Sequence, residues 1–192
     1  MILKIVDYDS TLFEAVGLIS AECFLNSSFY AIYRNAGEQG RRALIDMFAK
    51  SMDMCAKLGE AKCAVVNDEV VGFIMGFDYH LLKEKHPYEF AYFFVDENNN
   101  AQNNMLNEDF LQLDNIAKKY AKCAYLMTIA VKEKYRGNGI ASELVKSFLR
   151  NYQKHSVITD VVSVEMEQLC KKIGFIKAVD TMADCFVYVK EI

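Results

Sequence analysis

Residues 121–150, AKCAYLMTIAVKEKYRGNGIASELVKSFLR, constrain the fold of this 192-residue chain more than any other stretch. Ala124 to Val131 is an apolar run rich in strand formers. Lys132 to Tyr135 is a short charged turn, and Arg136-Gly137-Asn138-Gly139-Ile140-Ala141 follows it. Ile140, Leu144, Val145, Phe148 and Leu149 then recur on one face at helical spacing. The order is strand, glycine-rich turn, helix.

That order has a chemical use. The first amides of a helix have no partner inside it, and the macrodipole favours negative charge at the same end. Gly137 and Gly139 lack Cβ atoms, so the backbone can turn tightly and let a phosphate approach. The expected ligand is a phosphate or pyrophosphate, held by backbone N–H groups of Gly137, Asn138, Gly139, Ile140, Ala141 and Ser142. Arg136 is placed to add a charge-assisted hydrogen bond.

Two common phosphate motifs do not fit. No Gly-Lys pair has the P-loop spacing, and the G-x-G-x-x-G/A fingerprint would end here in Ser142, deep in the second half of the chain. The R-x-x-G-x-A pattern from Arg136 to Ala141 instead resembles the acyl-CoA pyrophosphate loop of the GNAT superfamily of N-acetyltransferases. Thr128-Ile129-Ala130-Val131 looks like the end of that family's central strand, and Leu169-Cys170-Lys171-Lys172-Ile173-Gly174-Phe175 resembles its L-Y-x-K-x-G-F helix end. The two elements carry the resemblance across residues 121–175; before them only the element order agrees.

The resemblance implies an α/β (α+β) fold. Its sheet is mixed and mostly antiparallel, with a splayed central strand pair and flanking helices. It implies acetyl-CoA as co-substrate, with pantetheine along the backbone of Ile129, Ala130 and Val131, and direct transfer of the acetyl group to a primary amine. No metal is implied. The departure is Cys170, which stands where many members carry Tyr to protonate the leaving thiolate. A free thiol has a pKa near about 8.5, close to that of the leaving thiol, so Cys170 as general acid is chemically reasonable. The alternative is a small buried residue. No acid or His lies on the central strand, which carries Cys123, Tyr125, Met127 and Thr128; candidates for the base elsewhere are Glu22, Asp78, His80, Glu89 and Glu165.

Composition excludes other classes. Net charge is −4 with no basic block, which argues against nucleic-acid binding. No apolar run approaches the ~20 residues of a membrane span, and the start of the chain is too short and too soon charged for a signal peptide, so the expected location is the cytoplasm. Six cysteines without a C-x-x-C pair indicate neither zinc nor a redox motif. The expected partners are a small-molecule or peptide amine, with a monomer or homodimer.

Along the chain, Leu3 to Val6 suggests a first strand, Asp9 or Ser10 a helix cap, and Phe29 to Tyr33 an aromatic patch that is either core or acceptor-pocket wall. A helix is expected from Arg41 to Leu58, then a hairpin of Cys63–Val66 and Val70–Phe77 about Asn67-Asp68-Glu69. Residues 79–122 read as an insertion, with a polar loop from Asp96 to Asn104 as a candidate lid and a helix from Met105 to Tyr120. Val157 to Val162 is the fifth strand, Ser163 a helix cap, Val179 to Asp184 a turn and Cys185 to Val189 the last strand. One domain, residues 1–192, is expected. Two rival readings stand beside the transferase: a CoA-binding regulatory or sensor module, and an unrelated phosphate-ligand protein that shares only the turn.

Overall fold

The computed structural model describes residues 2–27, 30–93, 111–180 and 186–191. Its strands are β1 (Leu3–Asp7), β2 (Glu60–Val66), β3 (Glu69–Asp78), β4 (Cys123–Val131), β5 (Ser156–Val161), β6 (Ile176–Asp180) and β7 (Phe186–Lys190). They form a seven-stranded sheet in the order β1-β2-β3-β4-β5-β7-β6. The helices are α1 (Phe13–Phe24), α2 (Ala31–Asn35), α3 (Gly37–Leu58), α4 (Tyr79–Lys85), α5 (Pro87–Tyr92), α6 (111–117), α7 (Ile140–Asn151) and α8 (Val164–Ile173). The sheet is mixed and mostly antiparallel, as expected: β1/β2, β5/β7 and β6/β7 are antiparallel, and β4/β5 is parallel.

The chain forms two compact units, Met1–Met75 with Thr128–Phe148, and Gly76–Met127 with Leu149–Ile192. In the first, Asn67 and Asp68 take φ of 50° and 63°, the left-handed pair of a tight hairpin turn between β2 and β3. Val16, Ile19, Leu44, Phe48, Met52, Val71, Ile74, Leu144 and Phe148 are buried in its core. A Cβ on Gly72 would fall 2.6 Å from the Ala130 carbonyl oxygen, so β3 meets the end of β4 backbone against backbone. The Lys132 N–H donates to the Val71 carbonyl at 2.9 Å and continues that contact.

In the second unit, β4 pairs with β5 only from Cys123↔Ser156 to Tyr125↔Ile158. Both strands go on, β4 through Met127 and β5 to Val161. The described register thus ends where the resemblance places a splay. Ser163 caps α8, its Oγ accepting from Met166 N–H at 3.1 Å. Gly174 ends α8 in the left-handed region, φ 92°, and Phe175 N–H donates back to the Cys170 carbonyl at 2.9 Å. The K-x-G-F ending is therefore a helix stop whose Phe175 is buried.

Asp114 ties α6 to α4. Its carboxylate, 5 % exposed, accepts from Tyr79 Oη at 3.0 Å, from Lys118 Nζ at 2.7 Å and from Lys83 Nζ. His80 Nε2 lies 3.2 Å and 2.9 Å from the Ala117 and Tyr120 carbonyls; with two acceptors in front of it, that nitrogen donates and caps the helix end.

The structure corrects three sequence expectations. The helix expected from Arg41 begins at Gly37, because α2 and α3 touch: a Cβ on Gly40 would lie 1.9 Å from the Tyr33 carbonyl, and that packing overrides weak glycine propensity. The turn expected from Val179 is strand, since β6 runs to Asp180 and pairs with β7 through a register shift between Lys177 and Val179. Asp9 caps a 3-10 turn, Ser10–Leu12, rather than α1 directly. The lid expected over Asp96 to Asn104, the helix before residue 111, Phe29 and Cys185 lie outside the described residues.

Two outcomes follow from these contacts. Gly72→Ala overpacks the β3/β4 contact and should lower unfolding free energy by about 1–3 kcal/mol in a urea titration. Burial pulls the Asp114 carboxyl upward, but the bonds from Lys118, Lys83 and Tyr79 hold it below its usual range. A depressed carboxyl stabilises the fold above its unfolded pKa of about 3.9, and that stability is lost as pH falls through the lower folded value. Asp114→Asn should therefore be less stable than wild type at pH 7, by about 1–3 kcal/mol, and the gap in melting profiles should close as pH falls below about 4.

Candidate CoA loop and acceptor-side residues

In the first unit, β4 leaves the sheet at Val131 and a 3-10 turn, Glu133–Tyr135, carries the chain to the glycine loop. One carboxylate fixes this approach. Glu69 accepts from Lys132 Nζ at 2.8 Å, Lys134 Nζ at 3.1 Å and Tyr135 Oη at 2.6 Å, and these partners hold its carboxyl down to about 2. The Glu133 N–H donates to Glu22 Oε1 at 2.8 Å. Asn138 Nδ2 donates to the Tyr135 and Arg136 carbonyls at 3.1 and 3.2 Å and closes the turn from within.

The loop itself is exposed. Gly137 and Gly139 take φ of 78° and 79°, and an added Cβ would meet no atom within 4 Å at either. Conformation, not crowding, demands glycine here, and the space above the backbone is open. The Glu143 N–H donates to the Gly139 carbonyl at 3.1 Å, so the N–H groups of Ile140, Ala141 and Ser142 come before the helical ladder has partners for them. Ile140, 1 % exposed, anchors the start of α7. Backbone donors at a helix N-terminus with open space above them form a candidate anion cradle, and a pyrophosphate would suit its chemistry.

The Arg136 side chain is held at the end of β4. Its Nε donates to the Val131 carbonyl at 3.0 Å, and Nη2 lies 3.5 Å from Cys23 Sγ. The side chain thus ties the loop to the end of β4, and its charge stays beside the cradle. Cys23 Sγ also reaches the Val131 carbonyl at 3.5 Å; burial pushes this thiol upward despite the neighbouring guanidinium. Ile129 is half-buried, and Ala130 and Val131 lie against β3.

In the second unit, Cys170 is 2 % exposed on the inner side of α8. Burial, then the charges of Asp160 and Glu167, push its thiol up to about 12. Donating from such a thiol to a thiolate of ordinary pKa, about 8.5, runs uphill by roughly 5 kcal/mol. The burial favours the packing alternative over the general acid.

The base candidates divide by position. Asp78 caps α4 through Leu81 N–H at 2.9 Å and also meets His155 Nε2 at 2.9 Å. His80 caps a helix end and Glu22 caps a turn, as described above, while Glu89 is half-buried on α5 and Glu165 is exposed on α8. Sequence reasoning passed over Asp160. It lies in β5, two residues beyond the last residue paired with β4, and accepts from Tyr125 Oη at 2.5 Å. Its sign in the sequence is a single acid inside the run Val157-Ile158-Thr159-Asp160-Val161-Val162. No cluster of three His, Cys, Asp or Glu residues able to hold a metal occurs among the described residues, and none of their helices is long and apolar enough to cross a membrane.

The sequence model of the acetyltransferase (GNAT) family matches residues 106–175. No curated protein sequence matches the chain. Solved structures match along its whole length. The C-terminal condensation domain of Ebony, in complex with beta-alanyl-dopamine, superposes with a TM-score of 0.73 at 14 % identity over all of both chains. Drosophila melanogaster polyamine N-acetyltransferase, which forms N-acetylagmatine, gives 0.60 at 10 % over all of both. Arabidopsis thaliana Naa50, bound to the bisubstrate analogue CoA-Ac-MVNAL, gives 0.52 at 17 % over 99 % of each. At these identities the superpositions carry the fold, and the family pattern over residues 106–175 carries the rest. The chain thus carries the acetyltransferase (GNAT) family pattern over residues 106–175, within a fold that these solved structures share from end to end.

Proposed function

We propose that the protein is an N-acetyltransferase that moves an acetyl group from acetyl-CoA to a primary amine by direct attack, within one domain. The observation that carries this reading is the loop at the start of α7. It has two left-handed glycines, open space above them and helix N–H groups without ladder partners, all inside the segment that matches the family. The pyrophosphate would lie on the N–H groups of residues 137–142, with Arg136 beside it. The backbone from Ile129 to Val131 would run along the pantetheine.

Acetyl-CoA supplies the activated acyl carbonyl. The chain's own part is to bind, orient and exclude water. Glu69 gathers Lys132, Lys134 and Tyr135, so the loop is presented on a fixed base rather than a flexible charged turn. The amine attacks in its neutral form and the leaving thiolate takes its proton from water, because Cys170 holds its own too tightly. Naa50 with its bisubstrate analogue and the polyamine enzyme are the supporting precedents for CoA and amine.

A second reading has one observation in its favour. The position where many members carry Tyr holds a buried cysteine, which suits a CoA-binding sensor without transfer. Release of CoA thiol in the presence of amines separates the two.

Acetyl-CoA should bind wild type with micromolar affinity in a calorimetric titration, and Gly139→Glu should lose the binding, since it places a carboxylate and a strained φ in the cradle. An absence of binding to wild type would remove the proposal. Cys170→Ala should keep its turnover within about threefold of wild type at unchanged acetyl-CoA affinity, where loss of a general acid would cost about a hundredfold or more.

A further inference from the structure

We infer that Arg136 couples the two halves of the co-substrate by holding two positions in turn: over the Val131 carbonyl, an acceptor on the pantetheine track, and on the pyrophosphate. The inference rests on the CoA part of the proposed function and deepens it. The phosphate end of CoA opens the track for the pantetheine end.

The geometry lies wholly within the first unit. At the end of β4 the Ala130 carbonyl and the Lys132 N–H both turn toward β3. The carbonyl lies against Gly72, and the N–H donates to the Val71 carbonyl at 2.9 Å. Successive residues of a strand direct their backbone groups to opposite edges, so the Val131 carbonyl faces away from β3. Since β3 takes one edge of β4, pantetheine laid along Ile129 to Val131 meets the other. The Val131 carbonyl is an acceptor on that edge.

In the structure this carbonyl is occupied. Arg136 Nε donates to it at 3.0 Å, and Cys23 Sγ, at the end of α1, lies 3.5 Å from it. A carbonyl oxygen has two lone pairs, and these two donors take both. Arg136 Nη2 also donates to Cys23 Sγ at 3.5 Å, so guanidinium and thiol sit together over the oxygen. An amide N–H of pantetheine reaches it only when one of them leaves.

Arg136 is the one that can leave. It is exposed, and the carbonyl and thiol that hold it are both neutral. The neighbouring Lys132 and Lys134 are held by the Glu69 carboxylate instead. A pyrophosphate on the amides of residues 137–142 places an anion in the same loop. A charge-assisted bond to it is about twice as strong as a bond between neutral groups. The guanidinium therefore gains by turning to the phosphate, and the Val131 carbonyl passes to pantetheine.

The test divides acetyl-CoA into two probes, ADP for the phosphate end and S-acetylpantetheine for the other. Each is titrated by calorimetry into wild type and Arg136→Ala. The variant removes the cover and the charge together, so the probes should move in opposite directions. The Kd of S-acetylpantetheine should fall about threefold to tenfold, and the Kd of ADP should rise about fivefold or more. An Arg136 that is a phosphate ligand alone leaves S-acetylpantetheine unchanged, and one that merely props the loop weakens both probes. Either result, or S-acetylpantetheine that binds neither protein, overturns the inference and leaves the CoA reading standing. Tighter S-acetylpantetheine with ADP unchanged overturns it too, since the phosphate then has no hold on Arg136. Acetyl-CoA that fails to bind wild type removes the inference and the CoA reading together. Should Arg136→Ala not fold, the Arg136 Nε–H resonance of wild type decides. A shift of that resonance on addition of ADP supports the inference; an unmoved resonance overturns it.

Discussion

The structure depends on two strands that stop pairing early. Adjacent parallel strands normally exchange bonds along their whole length, because an unpaired backbone donor or acceptor away from water is expensive. Here the described pairing of β4 with β5 covers three residue pairs and both strands continue. A backbone laid open in this way needs other partners. At the end of β4 some come from within the chain: the Val131 carbonyl takes Arg136 and Cys23, and β3 closes against Ala130 across Gly72. The glycine loop follows at once, and the helix it opens adds further donors. The end of β4 and the helix N-terminus are thus parts of one local chemistry, both written into residues 128–142.

Charge is arranged around this chemistry by carboxylates that are already occupied. Glu69 holds the basic residues of the approach, Glu22 caps the turn and Asp114 ties the helices of the other unit together. Lys132 and Lys134 are paired to Glu69 beside the glycine loop. Each of these acids is held by hydrogen bonds from its own neighbourhood.

What the sequence made legible was local. Gly137, Gly139 and Gly174 declare left-handed backbone, Ser163 declares a cap, and the apolar run of β4 declares a strand; each depends on neighbours within a few residues. What escaped depends on distant partners. The true start of α3 is set by contact with α2 at Gly40, and the strand character of β6 by pairing with β7. The state of Cys170 is set by burial, which no spacing reveals. The resemblance supplied Cys170 as a possible acid because it transfers a position, and the environment of that position belongs to this chain.

The most direct measurement follows backbone amide resonances as CoA is added to the wild-type protein. If the loop is a pyrophosphate cradle, the largest shifts fall on residues 137–142 and the first turn of α7, and pantetheine alone leaves those amides unmoved. Shifts that spare residues 137–142, or that appear equally with pantetheine, would contradict the assignment of this loop as the CoA site.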